Sequence, residues 1–153
     1  ELSAAMDAAE PLGEWDFVSL LIGVNNQYRG RSVEDYASEF AVLLLRAIAL
    51  AGGRADRVLV LSIPDWGVTP FARAELRSPR RIARELDAFN AAARDVCVAH
   101  DVAFVDITVA SRECADAPAM LAADGLHPSA AQYAAWTRLA LPVAHRLLAI
   151  RHA

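Results

Sequence analysis

Asp16-Phe17-Val18-Ser19-Leu20-Leu21-Ile22-Gly23 is a short, nearly continuous apolar run closed by glycine. A strand with one wet face would alternate polar and apolar residues. A run without that alternation is expected of a parallel strand buried on both faces. Two further runs of the same kind follow, Val58–Ile63 and Val102–Ile107. Helical patterns separate them. Ser32 reads as an N-cap with Asp35 three residues on, a shortened capping box. Val33, Tyr36, Phe40, Leu43, Leu44, Ala47, Ile48 and Ala51 then recur at helical spacing until Gly52-Gly53 ends the pattern. Ser78-Pro79 reads as a cap followed by proline at the first helical position. Beyond it Ile82, Leu86, Phe89, Ala93 and Val96 keep the 3.6 period, while Arg80, Arg81 and Arg84 fall on the outer face as a solvated charge run.

Outside this centre, residues 2–10 read as the end of a helix closed by Pro11 and Gly13. Asn25–Arg31 reads as a polar loop, Pro64–Phe71 as a second loop, and Thr108 to about Pro118 as a third. Ser129 caps a last helix carrying Tyr133, Trp136 and Ala140, which Pro142 should kink or break. Alternation of this kind predicts an α/β fold. Its strands are parallel, its crossovers are right-handed, and helices cover both faces of the sheet. Ligands of such sheets sit at the carboxyl ends of the strands. The loops starting at Val24, Pro64 and Thr108 all leave such ends, and the turn Asp124-Gly125-Leu126-His127-Pro128 can fold over the same rim.

The totals set the broad class. A chain of 153 residues, 56% apolar and 22% charged, can bury the core of one domain. A net charge of −4 opposes a nucleic-acid partner, because the phosphate backbone would repel it. Every basic residue is arginine, which together with the abundant alanine reads as codon bias. Cys97 and Cys114 stand in unrelated surroundings without a CxxC and read as buried thiols, which points to a reducing, cytoplasmic location. No apolar run reaches the roughly 18 residues that a transmembrane helix needs, and the start shows no signal-peptide pattern.

Two constellations can carry chemistry. Asp124 and His127 lie three residues apart in a glycine-containing turn. A carboxylate so placed can fix the tautomer of an imidazole that accepts a proton. The same spacing also fits a turn-capping Asp followed by a surface His. Gly23-Val24-Asn25-Asn26 ends the first strand and puts a side-chain amide on the rim. Such an amide can stabilise an oxyanion, an interaction typically worth about 3–4 kcal/mol in the transition state. It can equally form an Asx turn that only reverses the chain.

Taken together, Gly-x-Asn after an early strand and Asp-x-x-His-Pro before the last helix resemble the SGNH hydrolases, also called the GDSL esterase/lipase family. The resemblance spans essentially the whole chain. It implies a three-layer α/β/α sandwich with a flavodoxin-like parallel sheet, and a Ser-His-Asp ester hydrolase needing no metal or cofactor. By position, it implies that His127 is the general base, Asp124 its orienting carboxylate and Asn25 an oxyanion donor. The family motif usually reads Gly-x-Asn-Asp; here Asn26 replaces that Asp, which should alter the anchoring of the loop. Asn26, Trp66 and Phe71 are expected at the substrate pocket. Asp65 and Asp106 also end strands and could touch substrate. Asp106 with Asp124 and His127 has metal-type ligands but no evident third close partner. The partner is then a small-molecule or lipid ester. A carbohydrate O-deacetylase or acyltransferase, and a non-catalytic binding domain, are the alternative readings.

The family's nucleophile sits in a Gly-Asp-Ser motif after a first strand, and no serine here follows Gly-Asp. Ser19 lies inside a strand; Ser32, Ser78 and Ser129 read as caps; Ser62, at a strand end, is the best substitute on offer. The first strand is missing as well, although in the order 2-1-3-4-5 it is an interior strand whose loss would expose unpaired backbone. The expectation is therefore that residues 1–153 form the C-terminal two-thirds of one SGNH-type domain. An upstream segment of about 50 residues would supply the strand and the serine, and the fragment alone would be inactive.

Overall fold

The computed structural model describes residues 1–75, 77–113 and 117–149. Three short strands, β1 (Val18–Leu20), β2 (Val58–Leu61) and β3 (Ala103–Val105), form a sheet in the order β1-β2-β3. Both pairings are parallel, with Val18 opposite Val58 and Leu59 opposite Ala103. Among the described residues β1 is hydrogen-bonded along one side only.

Period-2 geometry sorts the strand residues into two cores. Val58 and Val60 of β2 pack with Leu20 into the larger cluster. There they meet Tyr36, Phe40 and Leu44 of α3 (Val33–Leu50) and Ile82, Leu86, Phe89 and Ala93 of α5 (Pro79–Ala99). Leu59 and Val105 face the other way, onto Trp136, Val143 and Leu147 of α7 (Ala130–Ala149). The result is helix, sheet, helix: the expected three layers with a parallel sheet. The strand at 16–23 is expected to be buried on both faces, yet Ser19 is exposed. Among the described residues β1 is an edge strand of the sheet.

Local chemistry sets most helix starts as expected. Ser32 Oγ accepts the Asp35 N–H at 3.0 Å, and Pro79 occupies the first turn of α5. Ser78 sits at the cap position with extended dihedrals but its side chain makes no capping bond. The N-terminal helix α1 (Leu2–Ala8) is tied down by Arg46, which reaches Asp7 at 2.6 Å and Glu10 at 3.3 Å.

The loops differ from expectation. Val24–Tyr28 is a short helix, α2. The segment after β2 contains a 3₁₀ turn at Trp66–Val68 and helix α4 (Pro70–Ala74). Thr108–Glu113 is helix α6. Helices α2 and α6 are held by tertiary contacts of Gln27 and Ser111, whereas α4 starts on a local cap, Thr69 Oγ1 accepting the Ala72 N–H at 3.2 Å with Pro70 in the first turn. Helix α7 also runs through Pro142. The missing N–H removes one helical bond, but Trp136 and Ala140 before it and Val143, Ala144 and Leu147 after it are all packed on the sheet. Burial on both sides holds the helix together. Cys97 is buried, and burial pushes its thiol up to about 12; Cys114 lies outside the described residues.

Candidate active site

The turn at 121–128 closes on itself before α7 starts. Leu121 and Pro128 form an isolated antiparallel bridge, and the Ala122 N–H donates to the His127 carbonyl at 2.8 Å. Gly125 takes a positive φ of 68° inside the turn, where a side chain would be strained. The Asp124 carboxylate then does two jobs. Its Oδ1 accepts the backbone N–H groups of Leu126 (3.0 Å) and His127 (2.9 Å). Its Oδ2 stands 2.5 Å from His127 Nδ1. The imidazole contact foremost, then those two amides, lower the Asp124 pKa to about 2. The carboxylate is therefore ionised throughout the neutral range, and a proton on Nδ1 leaves Nε2 free to accept another. Both side chains are solvent-accessible.

The turn is fixed to its neighbours by the Phe71 N–H, which donates to the Gly125 carbonyl at 3.2 Å. This sets the imidazole at the mouth of a cleft of about 430 Å³. Tyr28, Trp66, Phe71, Tyr133 and Trp136 give the cleft aromatic walls, and Asn25 lies on its rim together with His127. Tyr28 and Phe71 both meet Trp66 edge-on, at centroid distances of 5.4 and 6.3 Å.

Asn25 reaches the rim because Gly23 lets the chain turn sharply from β1 into α2. Gly23 has φ +118°, and a Cβ there would lie 2.7 Å from both Ile63 and Tyr36. Helix α2 is locked from behind by Gln27, a residue the sequence reading left in a loop. The buried Gln27 amide donates to Glu85 at 2.7 Å and accepts the Trp66 indole N–H at 2.8 Å. No local pattern signals this bond, because its partners lie far along the chain. On the other side, the Asn25 amide donates to the Glu1 carboxylate at 3.4 Å, and Glu1 also pairs with Arg29.

The remaining candidates separate. Trp66 and Phe71 both line the cleft. Asn26 does not: its amide turns away from the cleft and donates to Glu39 at 2.7 Å, in a groove on the far side of α2. This bond anchors the loop where the family's usual Asp is replaced. Asp65 is buried in a network that shapes the loop after β2. It accepts the Gly67 N–H at 2.8 Å and pairs with Arg112 at 2.7 Å. Asp106 accepts the Thr108 N–H at 2.9 Å and pairs with Arg94 at 3.3 Å.

Ser62 is 1% exposed and encased. Its Oγ accepts the N–H groups of Ile107 (2.8 Å) and Thr108 (3.1 Å) and meets the Thr108 hydroxyl at 2.8 Å. It splices β2 to the end of β3 and has no free lone pair or path to a substrate. No trio of His, Cys, Asp or Glu able to hold a metal ion occurs among the described residues. None of the helices, searched over the described residues, is long and apolar enough to cross a membrane.

Comparison with known proteins places the fold and the family. Solved structures of the same fold include a variant of Axe2, an acetyl xylan esterase from Geobacillus stearothermophilus. Its TM-score is 0.67 at 22% identity, over 99% of this chain and 69% of that one. A lipase/acylhydrolase from Enterococcus faecalis matches with TM-score 0.61 and 22% identity, over 90% of this chain and 65% of that one. LAE5, an alpha/beta hydrolase from the metagenome of Lake Arreo in Spain, matches with TM-score 0.61 and 22% identity, over 86% of this chain and 61% of that one. The chain thus spans about two-thirds or less of the length of LAE5 and the Enterococcus protein. A comparison with curated proteins returns no match. The model of the GDSL-like lipase/acylhydrolase family matches residues 2–135, and the chain belongs to that family of hydrolases, which includes esterases.

Proposed function

We propose that this chain is the larger part of a serine ester hydrolase. In this reading a serine from a segment upstream of Glu1 attacks the ester carbonyl. His127 takes the serine proton and returns it to the leaving alcohol, Asp124 orients the imidazole, and Asn25 donates to the oxyanion. Water then releases the acid by the same route in reverse. The observation that carries the proposal is the 2.5 Å contact between Asp124 and His127 at the mouth of an apolar cleft whose rim also holds Asn25. The open side of β1 is where an added parallel strand would pair, so residues 1–153 would form one domain with that strand. Ester chemistry of this type needs no metal or cofactor.

The walls favour an apolar acyl group. A sugar-acetate substrate is the second reading, favoured by the likeness to an acetyl xylan esterase. The test is to incubate the full-length protein with short-chain p-nitrophenyl esters, with acetylated xylose and with a fluorophosphonate label. Turnover and labelling, both lost in His127→Ala, are expected. Full activity in His127→Ala would remove the assigned base. Preference for acetylated xylose over the alkyl esters would favour the second reading.

A further inference from the structure

Gln132 stands in the first turn of α7 and is only 6% exposed. Its backbone N–H reaches Ser129 Oγ at 3.4 Å, while its side-chain amide meets no hydrogen-bond partner among the described residues. The other buried Ser, Thr, Asn, Gln and Asp side chains among those residues are all bonded. A buried amide without partners is costly, and native interiors rarely keep one.

The Gln132 side chain borders a cavity of about 40 Å³ whose wall also holds Asp65, Thr69 and Ser111. Pro64, Leu126 and Pro128 line both this cavity and the cleft at whose mouth His127 stands. Leu121, which bridges to Pro128, is on the cavity wall as well. The cavity therefore lies behind the turn that carries Asp124 and His127.

Its polar wall is made of acceptors with capacity left. Thr69 Oγ1 donates to the Trp66 carbonyl at 2.7 Å and accepts the Ala72 N–H at 3.2 Å. Ser111 Oγ donates to the Thr108 carbonyl at 2.6 Å and accepts the Asp65 N–H at 2.8 Å. Each hydroxyl keeps one lone pair. The Asp65 oxygens accept once each, from the Gly67 N–H and from Arg112, and keep further lone pairs. Arg112, 2.7 Å from Asp65, already neutralises the carboxylate. An occupant must then be small and uncharged. It must donate to these oxygens and pair with an amide that both donates and accepts. Water meets all of these terms, needing roughly 10–15 Å³ and two to four polar partners.

We propose that this cavity binds buried water between the Gln132 amide and the wall of Asp65, Thr69 and Ser111. Through that water Gln132 is a positioning residue for the Asp124–His127 turn. The catalytic part of the proposal rests on the ester-hydrolase reading above. Leu121, Leu126 and Pro128 belong to the turn, and α7 starts directly after it at Ala130. Tying Gln132 to the segment after β2 fixes the turn over the sheet. Without that tie the Asp124–His127 pair can shift relative to Asn25.

The test uses full-length protein and Gln132→Met, because methionine matches glutamine in length and helix propensity and lacks only the amide. In wild type, NMR should show the Gln132 side-chain amide protons cross-relaxing with water, with the sign of a long-lived complex. Gln132→Met should lower Tm by about 2–5 °C, because the water loses a partner. It should also lower kcat for p-nitrophenyl butyrate about three- to tenfold with KM nearly unchanged, and shift or broaden the His127 Nδ1–H resonance. Gln132→Asn keeps an amide and reaches the wall through a further water, so it should retain most of kcat. Absence of the cross-relaxation in wild type, a measurement that needs no substitution, overturns the water site. So does a raised Tm in Gln132→Met, the result expected when an unpartnered buried amide is removed. An unchanged kcat and His127 resonance in Gln132→Met, or an equal loss in Gln132→Asn, overturns the positioning role. Failure of wild type to hydrolyse p-nitrophenyl butyrate bears instead on the hydrolase reading, and the NMR and thermal results still report on the water site.

Discussion

Replacing Ser62 by alanine separates a structural serine from a nucleophilic one. Ser62 Oγ is the acceptor for the buried Ile107 N–H and one of two acceptors for the Thr108 N–H, the other being Asp106 Oδ1. It also meets the Thr108 hydroxyl at 2.8 Å and donates to Asp106 at 3.1 Å. Without the hydroxyl, Thr108 keeps an acceptor and Asp106 can turn to water, but the Ile107 N–H is orphaned in the core. An orphaned buried donor costs about 1–3 kcal/mol, and the lost bonds to Thr108 and Asp106, whose groups keep or find other partners, add about 0.5 kcal/mol each, the low end for a net hydrogen bond. The sum expected is about 2–4 kcal/mol. At roughly 2–4 °C per kcal/mol for a domain of this size, Tm should fall by about 5–15 °C. Thermal and urea unfolding of the full-length protein measure this, with the urea slope unchanged. Below the transition, labelling by a fluorophosphonate should match wild type. An unchanged Tm would refute the bonding argument. Loss of label in a still-folded protein would make Ser62 the nucleophile and refute the assignment of the serine to an upstream segment.

Other outcomes follow from the same geometry. Gly23→Ala must place a methyl 2.7 Å from Ile63 and Tyr36 at a positive φ. It should cost roughly 2–5 kcal/mol in urea unfolding and lower esterase activity by shifting Asn25. Trp66→Phe leaves the buried Gln27 carbonyl without its donor. A loss of about 1–3 kcal/mol is expected, with a raised KM as α2 loosens; unchanged Tm and KM would count against the locking role of Gln27. Asp124 has a folded pKa near 2, below its unfolded value of about 3.9. Its contribution to stability is therefore complete above the unfolded value and fades as pH falls through about 2. A carboxyl ¹³C titration should show that midpoint in wild type and a shift toward 3.9 in His127→Ala. A wild-type midpoint near 3.9 would mean the imidazole contact is not maintained in solution.

What could be read along the chain was what depends on near neighbours. The apolar runs at 16–23, 58–63 and 102–107 predict buried strands, from which the parallel sheet and its two helical layers follow, although Ser19 of the first run is exposed. Ser32 capping Asp35 is a bond over three residues. So is the Asp124–His127 contact, which made that pair visible before any fold was known. Its meaning was not visible, because a capping Asp beside a surface His has the same spacing. The Phe71–Gly125 bond and the aromatic walls set the imidazole at a cleft, and the proposed role rests on that placement.

The misreadings share a cause. Helices α2, α4 and α6 looked like loops because they are too short to form from local propensity. Helices α2 and α6 exist because Gln27 and Ser111 find partners that only the folded sheet brings near, whereas α4 has a local start, Thr69 capping Ala72 with Pro70 in the first turn, that was read as part of a loop. Pro142 looked like a break because the pattern records the lost bond but not the burial on both sides of it. Ser62 looked like a spare hydroxyl until the end of β3 was laid against it.

By itself, then, the sequence determined the layer order, the parallel strands and the Asp124–His127 contact, since strand burial and turn bonds act over a few residues. The tertiary structure alone decided that Asn25 and His127 share a cleft, that Asn26 turns to Glu39 instead, and that Gln27 locks α2 against Trp66. Those facts depend on which distant side chains meet across the sheet, and packing, not periodicity, chooses them.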